Sequence, residues 1–290
     1  MIQALAFDQV QSGEPALRLW AARQLLTTVH RDDRVLPRLL ARARQEKHPV
    51  VLVELLAGVV SGWRRGAVYR DFVIFAASHP AAAMRRVAMR GLGEMQGNVQ
   101  ALRLLIERME RDPDPVVRGA ACRFAGQHGE DRLVPVYRRV MVRVGRRPAL
   151  YGACLEGLME MWNPLQSWTR RRLSRRAFGL TLWALRRRPP SASHPSPMVL
   201  KGLGRVPSQA AAVGTRDPPW YRKADVVAIL VSVALAPKAP RLRRGQAIAA
   251  LAGLGAGKAL GRIIARLGSG TDADSRYLTA MARKRLPRKR

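Results

Sequence analysis

Apolar residues recur at intervals of three and four along the first half of this chain, the period of amphipathic helices. Prolines at 15, 49, 80, 115 and 148 each open such a stretch. Pro near the first helical position and a preceding Asp, as in Asp114-Pro115, are helix-start chemistry, because neither requires the orphan N–H groups of a first turn to be satisfied within the helix. The positions Arg18, Leu52, Arg85, Arg118 and Tyr151 are separated by 34, 33, 33 and 33 residues. Three places further on lie Ala21, Leu55, Ala88, Ala121 and Cys154, apolar and mostly small, as a close helix crossing requires. A second amphipathic segment follows each opening, at 33–46, 67–77, 98–110 and 131–144, with Gly93, Gly97, Gly126 and Gly129 near the ends of the first helices in the third and fourth units. Each unit is therefore helix, turn, helix. One hairpin cannot bury its apolar face alone, so the pattern predicts an all-α array of stacked hairpins with Ala21, Ala88, Ala121 and Cys154 buried between units.

Beyond residue 162 the phase weakens. It returns at Arg244, Ala247 and Gly255, and the 93 residues from Tyr151 to Arg244 leave room for two degenerate units beyond the fifth. The stretches Arg187 to Pro197 and 205–220 are too rich in Pro, Ser and Gly for helices and are expected as loops. The expected organisation is a repeat array over 1–162, a degenerate basic region over 163–237, a further repeat unit over 238–282 and a basic tail at 283–290. The apolar run Val226 to Ala236 is about half of the ~20 residues a membrane-spanning helix needs, so it is expected as a buried core helix.

A chain of 290 residues with 48% hydrophobic content can bury a sizeable core, and 6% aromatics with abundant Ala, Leu and Arg favour helices over a β-sandwich. Cys122 and Cys154, the two cysteines, sit within apolar helical patterns and read as small buried hydrophobes in a reducing compartment. The first residues, MIQALAFDQVQSGEP, do not have the form of a secretory leader, and a cytoplasmic location is expected.

Charge changes the picture most. The chain holds 52 Lys and Arg against 20 acidic residues, and from residue 161 onwards 27 against four. Like charges weaken a compact state, so such a field calls for a polyanionic partner: nucleic acid first, an anionic membrane surface second, an acidic protein third. Eight arginines, Arg170, Arg171, Arg172, Arg175, Arg176, Arg186, Arg187 and Arg188, fall in one run, and no acid occurs between Glu160 and Asp217. On a helix spanning 168–188, Trp168, Leu173, Ala177, Leu180 and Ala184 share an apolar face, while Arg171, Arg175 and Arg186 project away from it. Arg forks pair well with phosphate oxygens. Further basic groups are Arg222 and Lys223, Arg241, Arg243 and Arg244, and the terminal Arg283, Lys284 and Arg285. Trp220 and Tyr221 are candidates for base stacking or, equally, a hydrophobic plug.

Other chemistry falls away. Ala252-Gly-Leu-Gly-Ala-Gly-Lys-Ala259 imitates a phosphate-binding loop but has Ala in place of its first Gly and of its Ser or Thr, and follows a helix pattern. The five histidines are scattered without metal-ligand spacing, and no acid–base pair or nucleophile constellation stands out, so neither metal, cofactor nor catalytic residue is expected.

The segment Asp112 to Gly129, with Asp114, Pro115, Arg118, Ala121 and Gly126 in phase, resembles the short bacterial HEAT repeat, also found in bilin lyases. Arg85, Ala88 and Gly93 match the same signature. The resemblance implies an α-solenoid whose second helices line the concave side, and an internal ladder in which Arg18, Arg85, Arg118 and Arg244 meet acidic or carbonyl groups of the adjacent repeat. Some HEAT-like proteins are alkylpurine DNA glycosylases with an Asp among tryptophans. Residues 162–183 hold tryptophans but no acid, which leaves Asp217 or Asp225 beside Trp220 for that role. The reading is a non-enzymatic scaffold that binds DNA or RNA through phosphates. The alternatives are an adaptor for an acidic protein, a glycosylase and a peripheral membrane protein.

Overall fold

The computed structural model describes residues 6, 9–28, 36–62, 67–144, 148–163, 174–187, 198–204, 222–237 and 239–286. Among these every regular element is helical. The chain divides into two compact units, Met1–His128 and Gly129–Arg290.

The first unit holds α1 (Pro15–Thr28), α2 (Leu36–Gln45), α3 (Pro49–Gly62), α4 (Ala67–Ala77), α5 (Ala82–Glu94), α6 (Val99–Arg111) and α7 (Pro115–Ala125). Prolines open α1, α3 and α7 as expected, while α5 begins two residues after Pro80. The first helices of successive hairpins, α1, α3, α5 and α7, pack one on the next, and α4 packs on α6. Ala21, Leu55, Ala88 and Ala121 are fully buried at this phase. The caps are local chemistry. Asp114 accepts from the N–H of Val116 and Val117 at the start of α7, and Asn98 accepts from Ala101 at the start of α6.

The second unit holds α8 (Leu133–Val144), α9 (Pro148–Trp162), α10 (Arg175–Arg187), a short helical stretch at 198–204, α11 (Lys223–Leu235), α12 (Arg241–Gly253), α13 (Gly257–Gly268) and α14 (Ala273–Arg285). The hairpin α9–α10 is pinned by Tyr151 donating to the Ala184 carbonyl at 3.0 Å and by buried Trp162 donating to Thr181 Oγ1 at 2.9 Å. Cys154, like Cys122 of the first unit, is buried. The stretch 198–204 takes the place of a first helix between α9 and α12. A Cβ on Gly202 would stand 2.8 Å from Met159 Sδ of α9, and one on Gly204 would stand 2.6 Å from Ala250 Cα of α12. Between α9–α10 and α12, where the repeat spacing predicts two degenerate units, the described residues hold this stretch and α11.

The apolar run after Asp225 forms α11 with Val226, Ile229, Leu230, Val233 and Ala234 buried, as expected. No described helix is long and apolar enough to cross a membrane. The loop-like glycines at 253–257 are the turn between α12 and α13, where Gly255 takes φ +62°, the same left-handed turn as Gly97 and Gly129. Arg283, Lys284 and Arg285 complete the last turn of α14, where cations suit the negative helix end, so the basic tail begins later than its sequence implies.

Candidate functional site

Two classes of arginine separate in this structure. The first is internal. In the first unit Arg18 forks onto Glu46 at 2.8 and 3.0 Å and donates to the Ser12 and Gly13 carbonyls. Arg42 reaches the same carboxylate from one turn earlier on its own helix, and the His48 N–H closes the turn beyond it. The arrangement repeats two units later: Arg85 forks onto Asp112 at 2.7 and 2.9 Å and caps the His79 and Pro80 carbonyls, Arg108 stands 3.5 Å away, and the Asp114 N–H donates back. Burial alone would raise both carboxyls. The Arg18 hydrogen bond, His48 N–H and the charges of Arg42 and Arg18 instead hold Glu46 below its ordinary value, and Arg85, the Asp114 N–H and Arg108 do the same for Asp112.

Arg244 joins the ladder with a different acceptor, the Ala234 carbonyl at 3.0 Å. Arg118 departs from it: its Nε is buried with no hydrogen-bond partner among the described residues, and at the spacing where Arg85 finds Asp112 the sequence offers Gly145.

The second class is exposed and lies on the second helices of the unit Gly129–Arg290. There α8 packs against α10, α10 against α11 and α11 against α13, which makes one continuous row. The row exposes Arg138, Arg139 and Arg143 on α8; Arg175, Arg176 and Arg186 on α10; Arg222 and Lys223 at the start of α11; and Lys258, Arg262 and Arg266 on α13. A single acid occurs in those four helices, Asp225, which pairs with Arg186 at 2.6 Å. Lys258, Arg262 and Arg266 stand at successive i, i+4 positions, where like charges face each other and weaken an isolated helix by a few tenths of a kcal/mol per pair. The guanidinium of Arg138 lies 5.7 Å from the Trp183 ring centroid, bridging α8 and α10.

Of the residues singled out from sequence, Arg175, Arg176, Arg186, Arg222 and Lys223 belong to this row. Helix α10 opens at Arg175 because Ser174 is its N-cap, accepting from the Ala177 N–H at 3.0 Å and bonding to Asp131. A single helix over 168–188 is therefore replaced by one that begins at Arg175. Arg170, Arg171, Arg172, Arg188, Trp220 and Tyr221 lie outside the described residues, as does the Arg187 side chain. Arg241 and Arg243 on α12 and Arg283, Lys284 and Arg285 on α14 stand on the other row. Asp225, considered for a glycosylase role, is engaged by Arg186. The basic positions of α8 and α13 went unnoticed in sequence because each run is short. Their signal was the helical phase of the charge, Arg139 with Arg143 and Lys258 with Arg262 and Arg266.

One half-buried acid stands apart. Burial, reinforced by nearby Glu156, pushes the Glu160 carboxyl on α9 up to about 7. Among the described residues no cluster of His, Cys, Asp and Glu is disposed to hold a metal ion.

Residues 71–142 match the family of HEAT repeats. That stretch of the chain consists of HEAT repeats. The chain's solved likenesses include Kap121p bound to Pho4p, with TM-score 0.56 at 11% identity over 98% of this chain and 33% of that one. Kap121p bound to Ste12p gives TM-score 0.56 at 12% identity with the same coverage. This chain thus spans about a third of those solved chains, and the likeness is one of fold. No curated protein matches this chain in sequence. The architecture is an α-solenoid of stacked hairpins, a helical-repeat scaffold.

Proposed function

We propose that this scaffold is a non-enzymatic binder of DNA or RNA, whose phosphates lie along the second-helix row α8, α10, α11 and α13. The observation that carries the reading is that row's charge: eleven exposed Lys and Arg with one acid among the four helices. A surface whose cations merely solvate a fold mixes signs, as α6 does with Arg103, Glu107, Arg108, Glu110 and Arg111. The row of like charges instead raises the free energy of the unliganded unit, and a polyanion relieves it. Phosphate contacts dominate such binding, which gives affinity with little dependence on sequence. Arg170, Arg171, Arg172, Arg187 and Arg188, next to or at the end of α10 in sequence, are assigned to the same phosphate contacts, and Trp220 and Tyr221, next to Arg222 in sequence, to base stacking. The chain works inside the cell, where nucleic acid is available.

The test is fluorescence anisotropy with duplex DNA and single-stranded RNA at several salt concentrations. Replacing Lys258, Arg262 and Arg266 with Gln should weaken both and flatten the plot of log affinity against log salt by about 2–3 units, since each lost phosphate contact removes about 0.7–0.9. Gln keeps the helix. An unchanged slope, with one acidic protein still bound tightly, would favour an adaptor for an acidic partner.

A further inference from the structure

The other row of the second unit carries a different surface. Helices α12 and α14 pack side by side and enclose an open groove of about 370 Å³. Their register is fixed by two contacts. The Arg241 guanidinium lies 5.2 Å from the Tyr277 ring centroid, and a Cβ on Gly245 would stand 3.2 Å from Met281 Sδ. The helices therefore run parallel, Arg241 marking one end of the groove and Arg285 the other. From Tyr277 to Arg285 is eight residues, about 12 Å of helix.

The middle of the groove is apolar, formed by Leu242, Ala249 and Met281. Leu242 is 70% and Tyr277 54% exposed, and Leu242 is the most exposed of the large hydrophobic residues described. Gln246 also lines the groove, and its buried Oε1 has no hydrogen-bond partner among the described residues. Such an acceptor calls for a donor. At the Arg241 end, Asp274 stands 3.5 Å away as an exposed pair, which contributes little and is readily exchanged for another carboxylate.

We propose that this groove receives a short extended segment of a partner protein in which two apolar side chains stand between two carboxylates. A 12 Å groove takes about four extended residues at ~3.3 Å each. The carboxylates pair with Arg241 and Arg285, the apolar pair covers Leu242 and Met281, and a backbone N–H of the segment donates to Gln246. The volume lies in the range of about 300–1,000 Å³ for small-ligand and side-chain pockets, so it selects a short motif and not a whole domain face. The two arginines here thus have a role separate from the phosphate row, and the inference stands whether or not that row binds nucleic acid.

The experiment uses the full chain and fluorescein-labelled peptides with the core Glu-Leu-Leu-Glu, Glu-Ser-Ser-Glu or Lys-Leu-Leu-Lys between Gly-Ser flanks, in anisotropy titrations at about physiological ionic strength. Glu-Leu-Leu-Glu should bind at least about tenfold more tightly than either control. Leu242→Asp and Arg285→Glu, both at exposed positions that leave the fold intact, should each weaken it by about tenfold, while Gln at Lys258, Arg262 and Arg266 leaves it within about twofold. Equal affinity for the two acidic peptides, insensitivity to Leu242→Asp, loss on changing the α13 residues, or no binding of any peptide would each overturn the proposal. So would a matching loss of oligonucleotide affinity in Leu242→Asp, which would make the groove part of the nucleic-acid surface.

Discussion

The two units answer the same problem, an excess of arginine, in opposite ways. Residues 1–128 contain 19 Lys and Arg against 12 acids; residues 129–290 contain 33 against eight. In the first unit two of the three arginines that recur with the repeat, Arg18 and Arg85, are turned inward onto Glu46 and Asp112, each carboxylate shared with a second arginine. In the second, the recurrent Arg244 is satisfied by a backbone carbonyl and eleven further Lys and Arg are left on the surface of one helix row. Recurrence therefore marks structure here, and irregular excess stays on the surface, where the proposed function uses it.

The sharpest break of the comparison is Asp112→Asn. It leaves Arg85, with 8% of its side chain exposed, facing a neutral partner, and breaking a buried pair in this way costs about 3–5 kcal/mol. Denaturant unfolding followed by hydrogen exchange should place the loss in the unit Met1–His128. Ala121→Arg, which forces a charge into a crossing with no exposed surface, should melt the same unit at least as severely.

The next effect is one of pH, and its sign differs between the units. Glu46 and Asp112 have lowered folded-state values, so their contribution is present above the ordinary carboxylate range and is lost as pH falls through the folded values. Glu160 is the reverse. Its carboxyl rises from 4.5 to about 7, so its contribution is full below pH 4.5 and is lost as pH rises through about 7. Glu160→Gln should stabilise the second unit by about 1–2 kcal/mol at pH 8 and by almost nothing at pH 4, read by melting at both values. A smaller change is expected from Ser174→Ala, which removes the N-cap of α10 at a cost of about 1 kcal/mol.

Much of the first unit and of the start of the second was legible in the sequence because the signals there are local and repeat. The proline openings, the small residue three places after each phase position and the second segments at 67–77 and 131–144 all follow from helix sterics, and α4 and α8 lie within those bounds. The arginine ladder was legible as a recurrence, but its acids were not, since Glu46 and Asp112 follow Arg18 and Arg85 by 28 and 27 residues and meet them only through the fold. In the second unit, the helical stretch at 198–204 approaches neighbouring helices closely at Gly202 and Gly204, which no periodicity reveals. The charge run around α10 caught the eye by density, whereas the α13 stripe required knowing where Gly257 starts the helix.

The central claim is that position on the second-helix row, and not total charge, confers binding. Two six-residue Gln variants of equal net charge test it: Arg138, Arg139, Arg143, Lys258, Arg262 and Arg266 in the second unit, and the exposed Arg70, Arg86, Arg90, Arg103, Arg111 and Arg123 in the first. Salt-dependent anisotropy with one duplex is the measurement. The account predicts that the first variant loses up to about 5 units of slope and most of its affinity while the second stays close to the parent. Equal losses in the two variants would mean that overall charge alone attracts the polyanion, and would contradict the assignment of the row.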